Sequence, residues 1–412
     1  MTSVVGLPAE LRGALALSDT STAAVRPRFD LTGETTGTAI DLSTAPFATL
    51  TFGWHRSEIS LGYGPLFTLR DTFSDGPAGL IFHTAYASYA YQGRRYRLML
   101  SETATLGQLD YSSLALSTPI NPQTPPDPTI SRVDFRPPPN DQIVYVVSEQ
   151  TSASLSYLLS RRWTAAGTVS FGITGGLGEN AEVTVPRQVR ESVALTLDHA
   201  LSRIDHLGGG VFVSHADVSN TLPVEDPNSL DANHWVVVES GTWTHNFNRQ
   251  LRGQLSLGLS ETFSRERHGT ISTSTNDVFP AASAALAGGL FLVRHRHLSV
   301  SLLLGSSLAP AVNPLTGSLQ QRLQGSGTLL VVADRATVSA TLDGGQTIPF
   351  DDDQQARVIG FGLGATYHVS RLTDLAAGYR TVWQLSSDPR LDRPPQWIAF
   401  VSLIVRAPPL LF

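Results

Sequence analysis

Apolar and small polar residues alternate with a period of two in segments of about ten residues, and the pattern recurs along almost the whole chain. Between Arg357 and Val369, the residues Ile359, Phe361, Leu363, Ala365 and Tyr367 share one face, and Gly360, Gly362, Gly364, Thr366 and His368 share the other. The segment from Trp163 to Ile173 sets Trp163, Ala165, Val169 and Phe171 against Thr164, Thr168, Ser170 and Gly172. Leu255, Leu257 and Leu259 likewise oppose Arg252, Gln254, Ser256 and Gly258. Side chains alternate across a strand, so this period specifies β-structure with two unlike faces. No apolar run approaches the ~20 residues that a membrane-crossing helix needs.

The alternation predicts strands near 22–33, 45–55, 57–70, 79–91, 95–107, 142–159, 162–174, 188–200 and 206–217. It continues near 233–245, 250–263, 280–293, 297–306, 322–333, 336–344, 356–369, 374–386 and 395–407, making about 18 in all. Pro27 interrupts the first, and Leu11–Ser18 is an alternative to it. Short polar turns such as 54–57, 92–95, 160–162 and 294–297 alternate with longer polar loops near 108–141, 218–232, 264–279 and 345–355. In hydrocarbon every backbone N–H and C=O must be paired within the protein, so a sheet spans a bilayer only if it closes on itself. Such a barrel turns an apolar face to lipid, has short turns on one side and has longer loops on the other. A soluble sandwich would also alternate, but it gives no reason for loop length to alternate. The expected fold is all-β: a closed antiparallel transmembrane barrel of about 18 strands (16–18), formed by 22–412 after an N-terminal periplasmic segment 1–21.

Composition agrees. Charged residues are 16% and hydrophobic residues 41% of the 412-residue chain, which suits neither a disordered chain nor a coiled coil. All 29 basic residues are Arg, and the net charge of −6 carries no nucleic-acid footprint. Cysteine is absent, so disulfides and thiolate chemistry are excluded.

The tryptophans avoid strand centres. Trp54, Trp163 and Trp243 adjoin short turns, while Trp235, Trp383 and Trp397 adjoin long loops. Indole rings favour the headgroup level, so two aromatic girdles are expected. The chain closes on Leu410-Leu-Phe412 after Pro408-Pro409, a terminal aromatic behind an interruption that should bulge the last strand.

Charge divides between the ends. The short turns hold Arg94, Arg95, Arg161, Arg162, Arg294 and Arg296, whereas the long loops hold acids such as Asp226 and Asp351–Asp353. With the short turns in the periplasm, this rim either snorkels to lipid phosphates or docks a periplasmic export protein or an anionic substrate. The inferred lumen is rich in Ser, Thr and Gly, with Arg97, Arg190, Asp198, Arg252, Asp343, His368 and Arg380 as mid-strand pore-lining candidates. Such a wall suits neutral hydrophilic solutes or sugar polymers, though small polar residues are also ordinary strand material. The loop 108–141, with prolines at 125–126 and 137–139, is expected to fold into or over the pore.

No catalytic, phosphate-binding or cofactor motif is present, and none is expected to operate. Asp198-His199 and Asp205-His206 pair an acid with a histidine, but adjacent strand residues point to opposite faces. Asp351–Asp353 lack the spaced ligands of a calcium loop.

On strand number, length and lumen polarity the chain resembles the porin-type outer-membrane barrels over nearly its whole length. It is similar in particular to the exopolysaccharide-export porins, both the alginate-export porin and its myxobacterial counterparts. That resemblance implies an outer-membrane channel, embedded in outer-membrane lipids, that exports a secreted polysaccharide. A general diffusion or nutrient-uptake porin is the alternative, and a surface enzyme or scaffold with a plugged barrel is a third.

Overall fold

The structure, a computed structural model, describes residues 12–29, 35–72, 76–110, 143–226, 228–290, 298–312, 317–348, 356–386 and 393–411. The first nine strands are β1 (Arg12–Phe29), β2 (Thr35–Trp54), β3 (Ser57–Thr72), β4 (Gly76–Gln92), β5 (Tyr96–Asp110), β6 (Ile143–Leu158), β7 (Trp163–Gly176), β8 (Arg187–Ala200) and β9 (Asp205–Ser219). The next nine are β10 (Leu230–Asn246), β11 (Leu251–His268), β12 (Ile271–Leu290), β13 (Ser299–Val312), β14 (Leu319–Val332), β15 (Ala336–Ile348), β16 (Ala356–His368), β17 (Thr373–Ser386) and β18 (Arg393–Arg406). Each strand pairs antiparallel with its neighbour in sequence. β18 returns to β1, from Ser18 opposite Arg406 to Val25 opposite Ala399, and the sheet closes. The prolines at 408 and 409 offer no N–H to a ladder, so the last strand breaks there. It resumes as β19 (Leu410–Leu411), opposite Ala14 and Leu15 of β1.

Residues directly opposite one another in a ladder project from the same face, so the inward and outward sets propagate from strand to strand. The outward set includes Leu61, Leu195, Leu257, Leu342 and Val401, all well exposed. An apolar exterior of this extent on a closed barrel is a lipid-contacting surface. The outward set also contains Glu102, Glu191 and Glu239, which the apolar rows do not announce. Buried apolar residues gather inside the long-loop end. One cluster joins Ala216, Val218, Ala232 and Val236 to Val312 and Leu319, and the other joins Val144 and Val146 to Phe82 and Val185.

Two expectations are corrected. The first strand begins at Arg12, inside the stretch assigned to an N-terminal segment, because its alternation continues through Leu15 and Leu17 on the outward face. The segment 264–279 is not a long loop: β11 and β12 run on to His268 and Ile271 and pair residue for residue across a turn at 269–270. Both faces of that hairpin are polar, yet ladder hydrogen bonds do not require an apolar face. Connections 30–34, 73–75 and 269–270 show that the long-loop end owes much of its height to strands rather than loops. The proline-rich segment 111–142 and Asp351–Asp353 lie outside the described residues, as do Arg294 and Arg296.

Candidate functional site

The lumen is the concave surface on which function must act. Its wall carries a row of hydroxyls in mutual register. Thr51 faces Ser60, which faces Ser88, then Ser101, Ser152, Ser170 and Ser192 on successive strands from β2 to β8. Several members bond across the ladder, with oxygens 2.7 Å apart for Ser101–Ser152 and 2.6 Å for Ser170–Ser192. Thr22 and Ser402 form a similar contact of 2.7 Å where the barrel closes. Each hydroxyl both donates and accepts, so one partner in the wall leaves capacity for a polar solute. Strands in such barrels tilt by ~35–45°, so a row along the hydrogen-bonding direction climbs around the wall instead of forming a flat ring.

All seven pore-lining candidates project inward, but they occupy different levels. Arg97 and Arg252 are the second residues of β5 and β11, His368 is the last of β16 and Asp198 lies close to the end of β8. These four line the short-turn mouth, not the mid-strand level expected of them. The cause is their position in sequence, each within three residues of a short turn. Asp343 and Arg380 do lie mid-strand, and they form an ion pair of 3.8 Å. The intervening strand β16 puts Gly360 and Gly362 beneath them. A Cβ on Gly360 would sit 2.5 Å from the Asp343 carboxylate, so glycine makes room for the pair. Arg190 faces inward from the long-loop third of β8.

Further ionised groups escaped the sequence reading. Near the long-loop end, the buried Asp41 carboxylate accepts from Arg26 Nε at 2.8 Å and lies 3.4 Å from Arg70 Nη1. This cluster ties β1, β2 and β3 together on the luminal side. At the short-turn mouth, Asp374 accepts from His368 Nδ1 at 2.7 Å and from Arg406 Nη2 at 2.5 Å. Charges removed from water persist when paired and hydrogen-bonded, as these are.

Parts of two connections line the long-loop end of the lumen. The one between β7 and β8 contains α1 (Glu179–Thr184), and its Val185 packs on the inward-facing Val144 and Val146. Between β13 and β14, Gly317 adopts a left-handed φ of 66°, and its carbonyl accepts from His234 Nε2 at 2.5 Å. Ser264 Oγ lies 2.8 Å from the other ring nitrogen of His234, and the backbone N–H of Leu319 donates to Glu266 at 3.0 Å. His234 is fully buried behind this contact. The lumen is therefore narrowed at its long-loop end by two pinned segments.

Arg94 and Arg95, and Arg161 and Arg162, sit exposed in the short turns after β4 and β6. All six tryptophans project outward: Trp54, Trp163 and Trp243 at the short-turn end, Trp235, Trp383 and Trp397 toward the other. Trp163 packs on His199 at 4.3 Å, and Trp243 donates to Asp205 at 3.2 Å. Tyr91 and Tyr96 stack on each other at 5.3 Å beside the turn after β4.

A closed eighteen-stranded sheet with an apolar exterior and a polar interior is a transmembrane β-barrel of the bacterial outer membrane, a channel by architecture. The fold is shared with the open form of the ferric-catecholate import receptor Fiu from E. coli K12, at a TM-score of 0.50 and 8% identity over 94% of this chain and 81% of that one. Acinetobacter baumannii OccAB3 aligns over 97% of this chain and 99% of its own, at a TM-score of 0.42 and 12% identity. The FrpB iron transporter of Neisseria meningitidis aligns over 90% of this chain, at a TM-score of 0.47 and 11% identity; the chain spans only 62% of that protein's length. No curated protein sequence matches the chain significantly. The sequence does match the EpsX exopolysaccharide export family over residues 13–411, and the chain belongs to that family.

Proposed function

We propose that this barrel is the outer-membrane conduit through which a secreted polysaccharide leaves the cell. The observation that carries the reading is the hydroxyl row of the lumen wall, running from Thr51 to Ser192. A sugar polymer presents hydroxyls at every repeat, and a wall of donor-acceptor groups can exchange partners along it without one deep binding minimum. Membership of an exopolysaccharide export family supports the same direction of transport.

In this reading the short turns face the periplasm, as they do in this class of barrel. Arg94, Arg95, Arg161 and Arg162 then form a cationic entry rim. An acidic polymer, or an acidic face of a periplasmic export protein, is drawn to that rim over about a Debye length, roughly 8 Å at physiological salt.

Deleting the gene tests the proposal. Loss of extracellular polysaccharide, restored by the wild-type copy, is the expected result. Full secretion by the deletion strain would refute export and make the barrel a diffusion porin. Replacing Arg94, Arg95, Arg161 and Arg162 together with Gln tests the rim: normal barrel assembly with reduced secretion is expected, and unchanged secretion would assign these residues to lipid phosphates.

A further inference from the structure

Phe47 of β2 and Tyr86 of β4 both project into the lumen, on either side of β3. Between them β3 offers Gly62 and Gly64 on the same inward face. A Cβ on Gly62 would lie 2.0 Å from the Tyr86 ring, and one on Gly64 would lie 2.3 Å from the Phe47 ring. Each ring therefore rests directly on a glycine. Two residues of strand span ~6.6 Å, which matches the 5.9 Å between the ring centroids. The rings are nearly parallel, inclined by 13°. Resting on neighbouring glycines of one strand, the two stacked rings form a single aromatic floor on the inward wall, and neither is fully buried.

The surroundings of this floor are polar. Tyr86 donates its hydroxyl hydrogen to Thr49 Oγ1 at 3.3 Å, which fixes the ring in its plane. The neighbouring inward positions are Ser60, Ser88, Thr84 and Thr103, two of them members of the hydroxyl row. Both rings lie well above the short turns, since Phe47 stands seven residues before Trp54 at the end of β2. Of the other large aromatics on these strands, Tyr63, Phe67 and Tyr89 turn outward, while Phe82 turns inward into the apolar cluster at the long-loop end.

We infer that Phe47 and Tyr86 form a sugar-binding platform inside the lumen, on which the apolar face of a pyranose ring stacks while its hydroxyls bond to the adjoining Ser and Thr residues. The inference rests on the polysaccharide reading above and deepens it. A pyranose has one face of C–H bonds and a rim of hydroxyls. The π face of an aromatic ring is electron-rich and attracts the slightly positive C–H hydrogens. An aromatic patch framed by hydroxyls meets both requirements. An anionic group is not needed, so the ligand class is a neutral pyranose unit within the polymer. The platform is a resting point along the path, shallow enough for the polymer to move on.

Single-channel recording in planar bilayers provides the test, with maltohexaose as the neutral pyranose probe and polyethylene glycol of similar size as the inert comparison. The wild type should show discrete current blockades with maltohexaose that last longer than those with polyethylene glycol. In the Phe47→Ala/Tyr86→Ala double variant, blockade affinity should fall on the order of tenfold. Tyr86→Phe keeps the ring and should keep most of the affinity, and heat-modifiable mobility on gels checks that each variant is folded. Equal blockade by maltohexaose and polyethylene glycol in the wild type would overturn the platform, as would unchanged affinity in the double variant. The gene deletion distinguishes the two failures: lost secretion with no sugar blockade removes the platform and leaves export standing.

Discussion

Replacing Leu363 by Arg isolates the physical claim that one face of every strand meets lipid. Leu363 faces outward at the centre of β16 and is 45% exposed. It lies midway between Ile359, which pairs with Trp383, and Tyr367 near the short turn. Four residues of strand rising ~3.3 Å each, tilted by ~40°, put it ~10 Å from either aromatic level. That is the middle of the hydrocarbon. Its partners across the two ladders are Ala340 and Tyr379, neither of which can neutralise a guanidinium. The expected cost is therefore the full mid-bilayer value, about 2–4 kcal/mol. Each ~1.4 kcal/mol is a factor of ten, so the folding equilibrium should move by roughly 30- to 900-fold. The internal comparison is Thr341→Arg, which enters the lumen at the same level above Gly362 and two residues from Asp343. It should stay within about 1 kcal/mol of wild type. Reversible folding into phosphatidylcholine vesicles, followed by tryptophan fluorescence over a denaturant series, measures both. Equal costs at Leu363 and Thr341 would mean that both faces are packed alike, and the lipid assignment would fail.

Other expectations concern the lumen and the exterior. Asp343→Asn removes the counter-charge 3.8 Å from Arg380 and should move the reversal potential in a potassium chloride gradient toward chloride; an unchanged potential would put this pair outside the ion path. His234→Ala breaks the contact to the Gly317 carbonyl and should raise single-channel conductance or make it flicker, whereas steady wild-type currents would mean that the β13–β14 connection does not constrict the pore. Glu239→Leu removes a carboxyl from the outward face opposite Leu259 and should stabilise the folded barrel in vesicles by about 1 kcal/mol or more; a loss of stability would show that Glu239 serves a partner. A cysteine in place of Arg162 should resist a membrane-impermeant thiol reagent on intact cells, since the short turns face the periplasm in this account, and labelling there would invert the orientation.

The strands and their faces were legible because lipid imposes one rule on every strand. Leu257, Phe361 and Val401 could be assigned outward without knowing their neighbours. Where lipid ends, that rule ends. The residues Arg265-Glu-Arg-His268 and Ser272-Thr-Ser-Thr275 read as a polar loop, yet they pair in a hairpin because backbone hydrogen bonds sustain the ladder without an apolar face. Luminal partnerships were illegible for a different reason. Whether Asp343 meets Arg380, or Asp41 meets Arg26 and Arg70, depends on register between strands, which the composition of a single strand does not encode. The same holds for His234 and Gly317, 83 residues apart in sequence. The aromatic pair Phe47 and Tyr86 had one local signal, the glycines at 62 and 64 on the inward face of β3, whose meaning emerges only once the neighbouring strands are in place.

The central claim is that the lumen is a continuous aqueous path across the outer membrane. Single-channel recording of the purified, folded protein in a planar bilayer tests it most directly. Stepwise insertions are expected, each adding a stable ohmic conductance that scales with salt concentration. Folded protein that inserts into the bilayer and stays electrically silent would contradict it, and the barrel would be a closed scaffold rather than a channel.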